Sequence, residues 1–234
     1  MAKERIVVFT GAGISAESGL RTFRDSDGLW EEYRIEEVAT PEAWIADPER
    51  VLRFYDLRRE QVIKAEPNTA HHAIAALEKG YHVDVVTQNI DDLHERAGSS
   101  RVLHLHGEIR KVRSTSDPAL ITELNSTSLR LGDRCALGSQ LRPHIVWFGE
   151  EVPGLPLAAS LVERADRLLV IGTSLQVYPA AGIIHYASPE CPVVLIDPNA
   201  VDIRLGRVLH ILATATAGVP SLVDRWLAES GISE

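Results

Sequence analysis

Short apolar runs, each ending in glycine or a polar cluster and separated by longer amphipathic stretches, set the rhythm of the chain. The first run, Ile6, Val7, Val8 and Phe9, is rich in β-branched residues and predicts a buried strand. It runs into Gly11 and Gly13, whose missing side chains permit a tight turn and leave backbone N–H groups open to a phosphate. Ser15 or Ser18 is placed to cap a following helix. A glycine-punctuated polar loop over 19–30 carries Phe23 and Trp30, aromatics that either cover a ligand or anchor the loop to the core, the second reading being the simpler for Trp30. Residues 36–64 then read as helical, with Thr40-Pro41-Glu42 and Asp47-Pro48-Glu49 as two start signals. Tyr55 and Arg58, three residues apart, share a face of the second helix. On its own this pair reads as an arginine stacked on a tyrosine at the surface, and otherwise as a phenol and a guanidinium presented together.

An alanine-rich helix over 69–79, closed by Gly80, leads to a strand over 81–87. That strand ends in Gln88, Asn89, Ile90, Asp91 and Asp92, more amide and carboxylate than a turn needs, at the strand end where open α/β sheets bind ligands. In residues 102–107 the alternation puts His104 and His106 on one face with Val102, opposite Leu103 and Leu105. His106, beside Gly107, is the better candidate for a functional histidine. Residues 108–142 break the α/β rhythm and read as a small inserted module. A strand within 142–150 follows, and then a helix over 157–164, a strand over 167–171, the loop Gly172-Thr173-Ser174, and a helix over 180–187. A strand over 193–196, the loop Asp197-Pro198-Asn199, a strand over 210–213 and a helix over 220–229 complete the chain. Strands alternating with helices predict an α/β fold with a parallel, doubly wound sheet.

Composition narrows the reading. A chain of 234 residues has room for one α/β domain with a small insertion. No run of eighteen apolar residues is present, and the charged N-terminal residues lead into a strand, so the expectation is a cytoplasmic protein without a membrane partner. Cys135 and Cys191 are the only cysteines, too few for a disulfide framework or a four-thiolate metal site. A net charge of −9 argues against nucleic acid as a partner and is compatible with basic protein segments.

Six blocks together carry more than any one alone: 11–19; Thr22, Phe23 and Arg24; 87–91; His106-Gly107; 146–150; and 172–179. In content and order they resemble the sirtuins, NAD-dependent protein lysine deacylases. The resemblance implies a Rossmann-like NAD-binding domain, residues 1–30, 66–107 and 143–234, and a small domain, residues 31–65 and 108–142. NAD, consumed as co-substrate, and an acyl-lysine protein or peptide would meet between them. Carried over, Gly11, Ala12, Gly13, Ala16 and Arg24 would hold the pyrophosphate region, and Phe23 would shield the reacting sugar carbon. Gln88 would contact the nicotinamide ribose, and Asn89, Ile90 and Asp91 the carboxamide. Gly172, Thr173, Ser174, Asp197 and Ala215 would complete the cofactor site. His106 would be the catalytic base. Val146, Phe148, Gly149, Glu150 and Val177 would bind the peptide. Ala39, Tyr55 and Arg58 fall where the class III branch has a small residue and a carboxylate-binding pair, which implies preference for succinyl or malonyl over acetyl groups. The usual zinc cysteines are missing from 108–142, so the expectation is no zinc, with packing of Leu120, Ile121, Leu124, Leu129 and Leu131 in its place. A monomer is expected. Capture of the ribose by a protein nucleophile, giving a mono-ADP-ribosyltransferase, and a catalytically silent NAD or ADP-ribose sensor are the other readings.

Overall fold

In the computed structural model, which describes residues 3–20, 29–30, 33–199 and 208–231, strand β1 (Arg5–Thr10) is buried on both faces over residues 6–10. A strand apolar on both sides needs cover on both sides, which is the situation of a parallel sheet flanked by helices. The loop holding Phe23 and Arg24 lies outside the described residues, as does the Trp30 side chain.

A hairpin of β2 (Leu29–Trp30) and β3 (Tyr33–Arg34) precedes β4 (His82–Thr87) and β5 (Val102–His104). An antiparallel sheet of β6 (Gly107–Ser114), β7 (Ile121–Glu123) and β8 (Leu141–Ile145) follows, and then β9 (Arg167–Ile171), β10 (Val193–Ile196) and β11 (Val208–Ile211). The six-stranded parallel sheet runs β11-β10-β9-β1-β4-β5, which is the doubly wound arrangement expected. The chain fills one side of β1 first and then returns to the other, so the direction of winding reverses between β1 and β9. Ligands bind at such a reversal.

Helices α1 (Gly13–Ala16), α2 (Ile35–Val38), α3 (Pro41–Ala46), α4 (Pro48–Lys64), α5 (Thr69–Ala76), α6 (Leu93–Arg96), α7 (Leu155–Glu163) and α8 (Ala215–Glu229) complete the elements. Ile6 and Val8 face α5 and α8 through Ile74, Leu77, Val219 and Trp226. Val7 and Phe9 face the opposite layer, with Ala158, Val162 and Ile183. A third cluster packs α2, α3 and α4 against Ile109, Ile145 and Trp147. Thr40 and Asp47 act as the expected caps, their oxygens accepting from Ala43 N–H and Arg50 N–H at 3.1 and 3.0 Å. Among the described residues no helix is long and apolar enough to cross a membrane.

Several elements differ from expectation. Residues 180–186 form a 3₁₀ helix, and the last strand lies two residues earlier than expected, at Val208–Ile211. Gly80 has φ −100°, so it is not a left-handed helix stop; a Cβ there would lie 2.6 Å from Ser230 Oγ, and close packing explains the glycine. Pro220 does not start α8 but lies inside it. The true start is stabilised from far away, because the Glu17 carboxylate accepts from Thr216 N–H at 3.1 Å and from the Thr214 hydroxyl at 3.2 Å.

The inserted module is held differently from the expectation. Leu129 is buried against Leu52 and Val112, with Leu124 at the edge of that cluster. Leu120 is half-buried, whereas Ile121 and Leu131 are 45% and 46% exposed and contribute little packing. The main clamp is polar. Arg59, completely buried, donates to Ile109 O (2.9 Å), Thr127 O (3.0 Å) and Asp56 Oδ1 (2.6 Å). Asp56 in turn accepts from Leu129 N–H at 3.1 Å.

Candidate functional site

The reversal between β1 and β9 brings two glycine loops into contact. Gly11 N–H donates to Ile171 O (3.0 Å) and Gly13 N–H to Gly172 O (2.9 Å). A Cβ on Gly13 would lie 2.7 Å from Gly172 Cα, and Gly172 itself has φ +60°. The first task of these glycines is therefore to let the loops interlock, which leaves the short α1 facing the cavity. Neither serine caps α1, whose N-cap is Ala12 with no side-chain hydrogen bond. Ser15 instead donates to Asp91 Oδ2 (3.1 Å), and Ser18 accepts from Asn68 Nδ2 (3.0 Å).

The polar end of β4 is locked to the first loop. Asn89 Nδ2 donates to Gly11 O and Ser15 Oγ, both at 3.2 Å, and Asn89 N–H to Thr87 Oγ1 at 3.0 Å. Asp91 is buried, accepts from Leu93 N–H at 3.2 Å, and has its pKa raised by that burial. Gln88 Nε2 reaches Thr173 Oγ1 at 3.0 Å, which joins this segment to the β9 loop.

The two histidines separate here. His104 is hydrogen-bonded through both nitrogens, Nδ1 to Asn89 O (2.8 Å) and Nε2 to Glu95 Oε1 (2.7 Å). Burial would lower its pKa, but the Glu95 carboxylate outweighs that and raises it, so the charged ring is favoured and both nitrogens are pinned. His106 Nδ1 lies 2.9 Å from Gln88 O. A carbonyl only accepts, so Nδ1 carries the proton and Nε2 keeps its lone pair. Burial lowers the His106 pKa and keeps the ring neutral. Such an imidazole can take a proton at Nε2.

The opposite wall comes from α2, α4 and the segment after β8. Val146 N–H donates to His106 O (2.9 Å) and Phe148 N–H to Ala39 O (3.0 Å), which fixes residues 146–149 between the histidine strand and α2. Glu150 accepts from Trp147 N–H (2.8 Å) and is paired with Arg142 (2.7 Å) and Arg113 (3.0 Å), so its carboxylate braces this segment. Tyr55 is fully buried and accepts from Trp147 Nε1 at 3.0 Å. Arg58 is 6% exposed, with Nη1 3.1 Å from Gln61 Oε1; the surface-stack reading of this pair is therefore wrong.

A cavity of about 440 Å³ lies between these walls. Every described residue assigned to cofactor, base or substrate lies on it, including Gly11, Ala12, Gly13, Ala16, Ile90, Ser174, Asp197, Ala215, Gly149 and Val177. Asp197 Oδ1 accepts from Asn199 N–H at 2.8 Å, and its other oxygen has no described protein partner, which suits a ribose hydroxyl. Buried amide and carboxylate groups, open backbone loops and a neutral imidazole on one cavity fit a dinucleotide. Trp147, within the expected peptide segment, lines it too, and so do Glu17, Val62, Tyr178 and Asn199, which were not anticipated. Glu17, Trp147 and Tyr178 sit inside three of the sequence blocks, which was the available signal.

Among the described residues metal donors are poor. Glu95, His104 and Glu108 approach within 4.8 Å, but Glu95 already holds His104 Nε2 at 2.7 Å and Lys111 Nζ lies 2.7 Å from Glu108. In the inserted module, Cys135 Sγ lies 3.4 and 3.0 Å from the hydroxyls of Ser114 and Ser139, and Ser116 joins them. One thiol and three hydroxyls do not fit a thiolate zinc centre.

Comparison with known proteins agrees with the geometry. Residues 11–179 match the model of the Sir2 family. An NAD-dependent protein deacylase of Bacteroides thetaiotaomicron is 51% identical over 225 residues, covering 94% of this chain and 96% of the relative. The NAD-dependent protein deacylase of Helicobacter pylori strain 26695 is 55% identical over 202 residues, covering 86% and 88%. A mutant Sir2 homologue solved in complex with ADP-ribose superposes with a TM-score of 0.89 at 40% identity, over 99% of this chain and 95% of the other.

Proposed function

The chain belongs to the Sir2 family and is an NAD-dependent protein-lysine deacylase; from that premise we propose that it prefers lysines whose acyl group ends in a carboxylate, succinyl or malonyl, with acetyl as a poorer substrate. NAD, consumed as co-substrate, would supply the ribose carbon to which the acyl oxygen bonds as the bond to nicotinamide breaks, and one water, cleaving the link between the acyl carbon and the lysine nitrogen, would complete the balance to nicotinamide, free lysine and O-acyl-ADP-ribose. In this reading the loops of Gly11, Ala12, Gly13 and Ala16 and of Gly172, Thr173 and Ser174 hold the phosphates. Asp197 and the start of α8 at Ala215 hold the adenosine ribose. Asn89, Ile90 and Asp91 orient the carboxamide. His106 Nε2 receives the ribose hydroxyl proton, a role that suits a neutral imidazole held in one tautomer. Residues 146–149 pair with the extended substrate backbone.

One observation carries the acyl preference: Tyr55 and Arg58 are buried together on the cavity wall beside Ala39. A buried guanidinium and phenol at the end of an acyl tunnel match a carboxylate and leave a methyl group without a counterpart. A charge-assisted hydrogen bond contributes about 1.5–3 kcal/mol, which corresponds to about 10- to 150-fold in kcat/KM. Residues 31–65 and 108–142 form, on this reading, the small domain that supplies the acyl pocket, and they do so without zinc. The test compares acetyl-, malonyl- and succinyl-lysine peptides of one sequence. Arg58→Met should lower kcat/KM for the succinyl peptide by at least tenfold more than for the acetyl peptide. A parallel fall in both sinks the assignment.

A further inference from the structure

We propose that Trp147 is a positioning residue for acyl-group selection: its indole N–H occupies the acceptor side of the Tyr55 hydroxyl and so turns that hydroxyl's own proton toward the ligand. The inference rests on the acyl-pocket reading above and adds to it the reason the phenol acts as a donor.

An indole nitrogen donates and never accepts. The 3.0 Å contact from Trp147 Nε1 to Tyr55 Oη therefore fixes the direction of this hydrogen bond. A phenol has a single proton, and among the described residues that proton has no protein acceptor. Tyr55 is buried and belongs to the cavity lining, which makes the ligand space the place for a partner to that proton. Burial raises its pKa further, so the group remains a neutral donor. A ligand oxygen is matched, and a carboxylate oxygen best of all.

The indole is itself held on three sides. The Arg142 guanidinium carbon sits 3.2 Å from the centre of its ring. Arg142 is anchored by Glu150 at 2.7 Å, and Glu150 accepts the Trp147 backbone N–H at 2.8 Å. Trp44 packs on the ring at a centroid distance of 5.8 Å. The indole N–H cannot swing away without breaking one of these contacts, so the phenol is oriented before any substrate arrives. Arg58 follows Tyr55 by one turn of α4, and a terminal carboxylate would meet both groups.

The experiment measures kcat and KM for acetyl- and succinyl-lysine peptides of one sequence with wild type, Trp147→Phe, Tyr55→Phe, the double variant and Arg58→Met. Trp147→Phe keeps a ring against Arg142 and Trp44 while removing the donor. It should lower the succinyl-to-acetyl ratio of kcat/KM by about 3- to 10-fold, the range of one oriented neutral hydrogen bond. The change should appear in KM for the succinyl peptide rather than in kcat. In the Tyr55→Phe background the same substitution should leave the ratio unchanged, because the phenol it orients is gone. The ratio is taken on one preparation, so a reduced folded fraction cancels. An unaltered ratio in Trp147→Phe, or an equal loss with and without the Tyr55 hydroxyl, overturns the inference. If Arg58→Met collapses the ratio and Trp147→Phe does not, only the role of Trp147 fails. If Arg58→Met leaves the ratio intact, the acyl-pocket reading itself fails.

Discussion

Removing the Arg59 guanidinium should cost a large part of the protein's stability. The side chain is wholly buried and makes three hydrogen bonds, to Ile109 O, Thr127 O and Asp56, and thereby ties α4 to the start and the middle of the inserted module. Desolvation is the largest influence on both members of the ion pair, lowering the pKa of Arg59 and raising that of Asp56. The charge pair is therefore no large net gain. The cost arises when one partner is removed and the other stays behind. Arg59→Met would leave Asp56 part-buried without its counter-ion and two carbonyls without donors. A loss of about 3–5 kcal/mol follows, a large part of the roughly 5–15 kcal/mol that holds a typical domain. Urea unfolding followed by tryptophan fluorescence reads the global cost, since Trp44 packs on Trp147 beside the module. Amide exchange at Leu129, whose N–H donates to Asp56, reads local loosening. The double variant Asp56→Asn/Arg59→Met should lose less than the sum of its single variants, because no orphaned charge remains. A chelator should shift neither midpoint. A cost below about 1 kcal/mol for Arg59→Met, or additive single effects, would show that the module is held by something other than this clamp.

Two further predictions follow from the histidines. His106→Ala should abolish turnover while most NAD affinity survives, and the acid limb of kcat/KM in the wild type should fall below the ordinary imidazole value near 6.5, because burial lowers the His106 pKa; an acid limb above that value refutes the neutral-base assignment. His71 is completely buried, and burial pushes its pKa down to about 4, while burial also holds His94, packed against it at 5.0 Å, well below the ordinary imidazole range. Between roughly pH 6.5 and 4 the unfolded chain takes up a proton at His71 that the native protein refuses, so stability falls as pH falls, by about 3 kcal/mol at the lower end. Unfolding free energies at pH 7 and 4.5 for wild type and His71→Phe would check this, and equal pH dependence in the two would refute it.

The order of strands and helices, the cap residues Thr40 and Asp47, and the polar clusters at the ends of β1, β4, β9 and β10 were all legible in the linear pattern. Each depends on residues a few positions apart, and periodicity and capping are local physics. The same holds for the pairing of Tyr55 with Arg58 on one helix face. Whether that face met solvent or a cavity was not local, and the surface stack was the reading that failed. The start of α8 escaped for the same reason, since its cap is a carboxylate contributed by Glu17 at the other end of the chain. Arg59 in a polar helix reads as a solvated charge, and nothing nearby reveals that Ile109 and Thr127 will close over it. His104 ends β5 and His106 lies just beyond it, and what separates them is that Glu95 stands beside the ring of His104.

Composition and periodicity thus determined which segments extend, which coil and where polar groups gather. The tertiary structure decided which of those groups are buried together, because reversal of the winding order at β1 brings residues from opposite ends of the chain to one cavity, and burial, partner and protonation state are properties of that meeting.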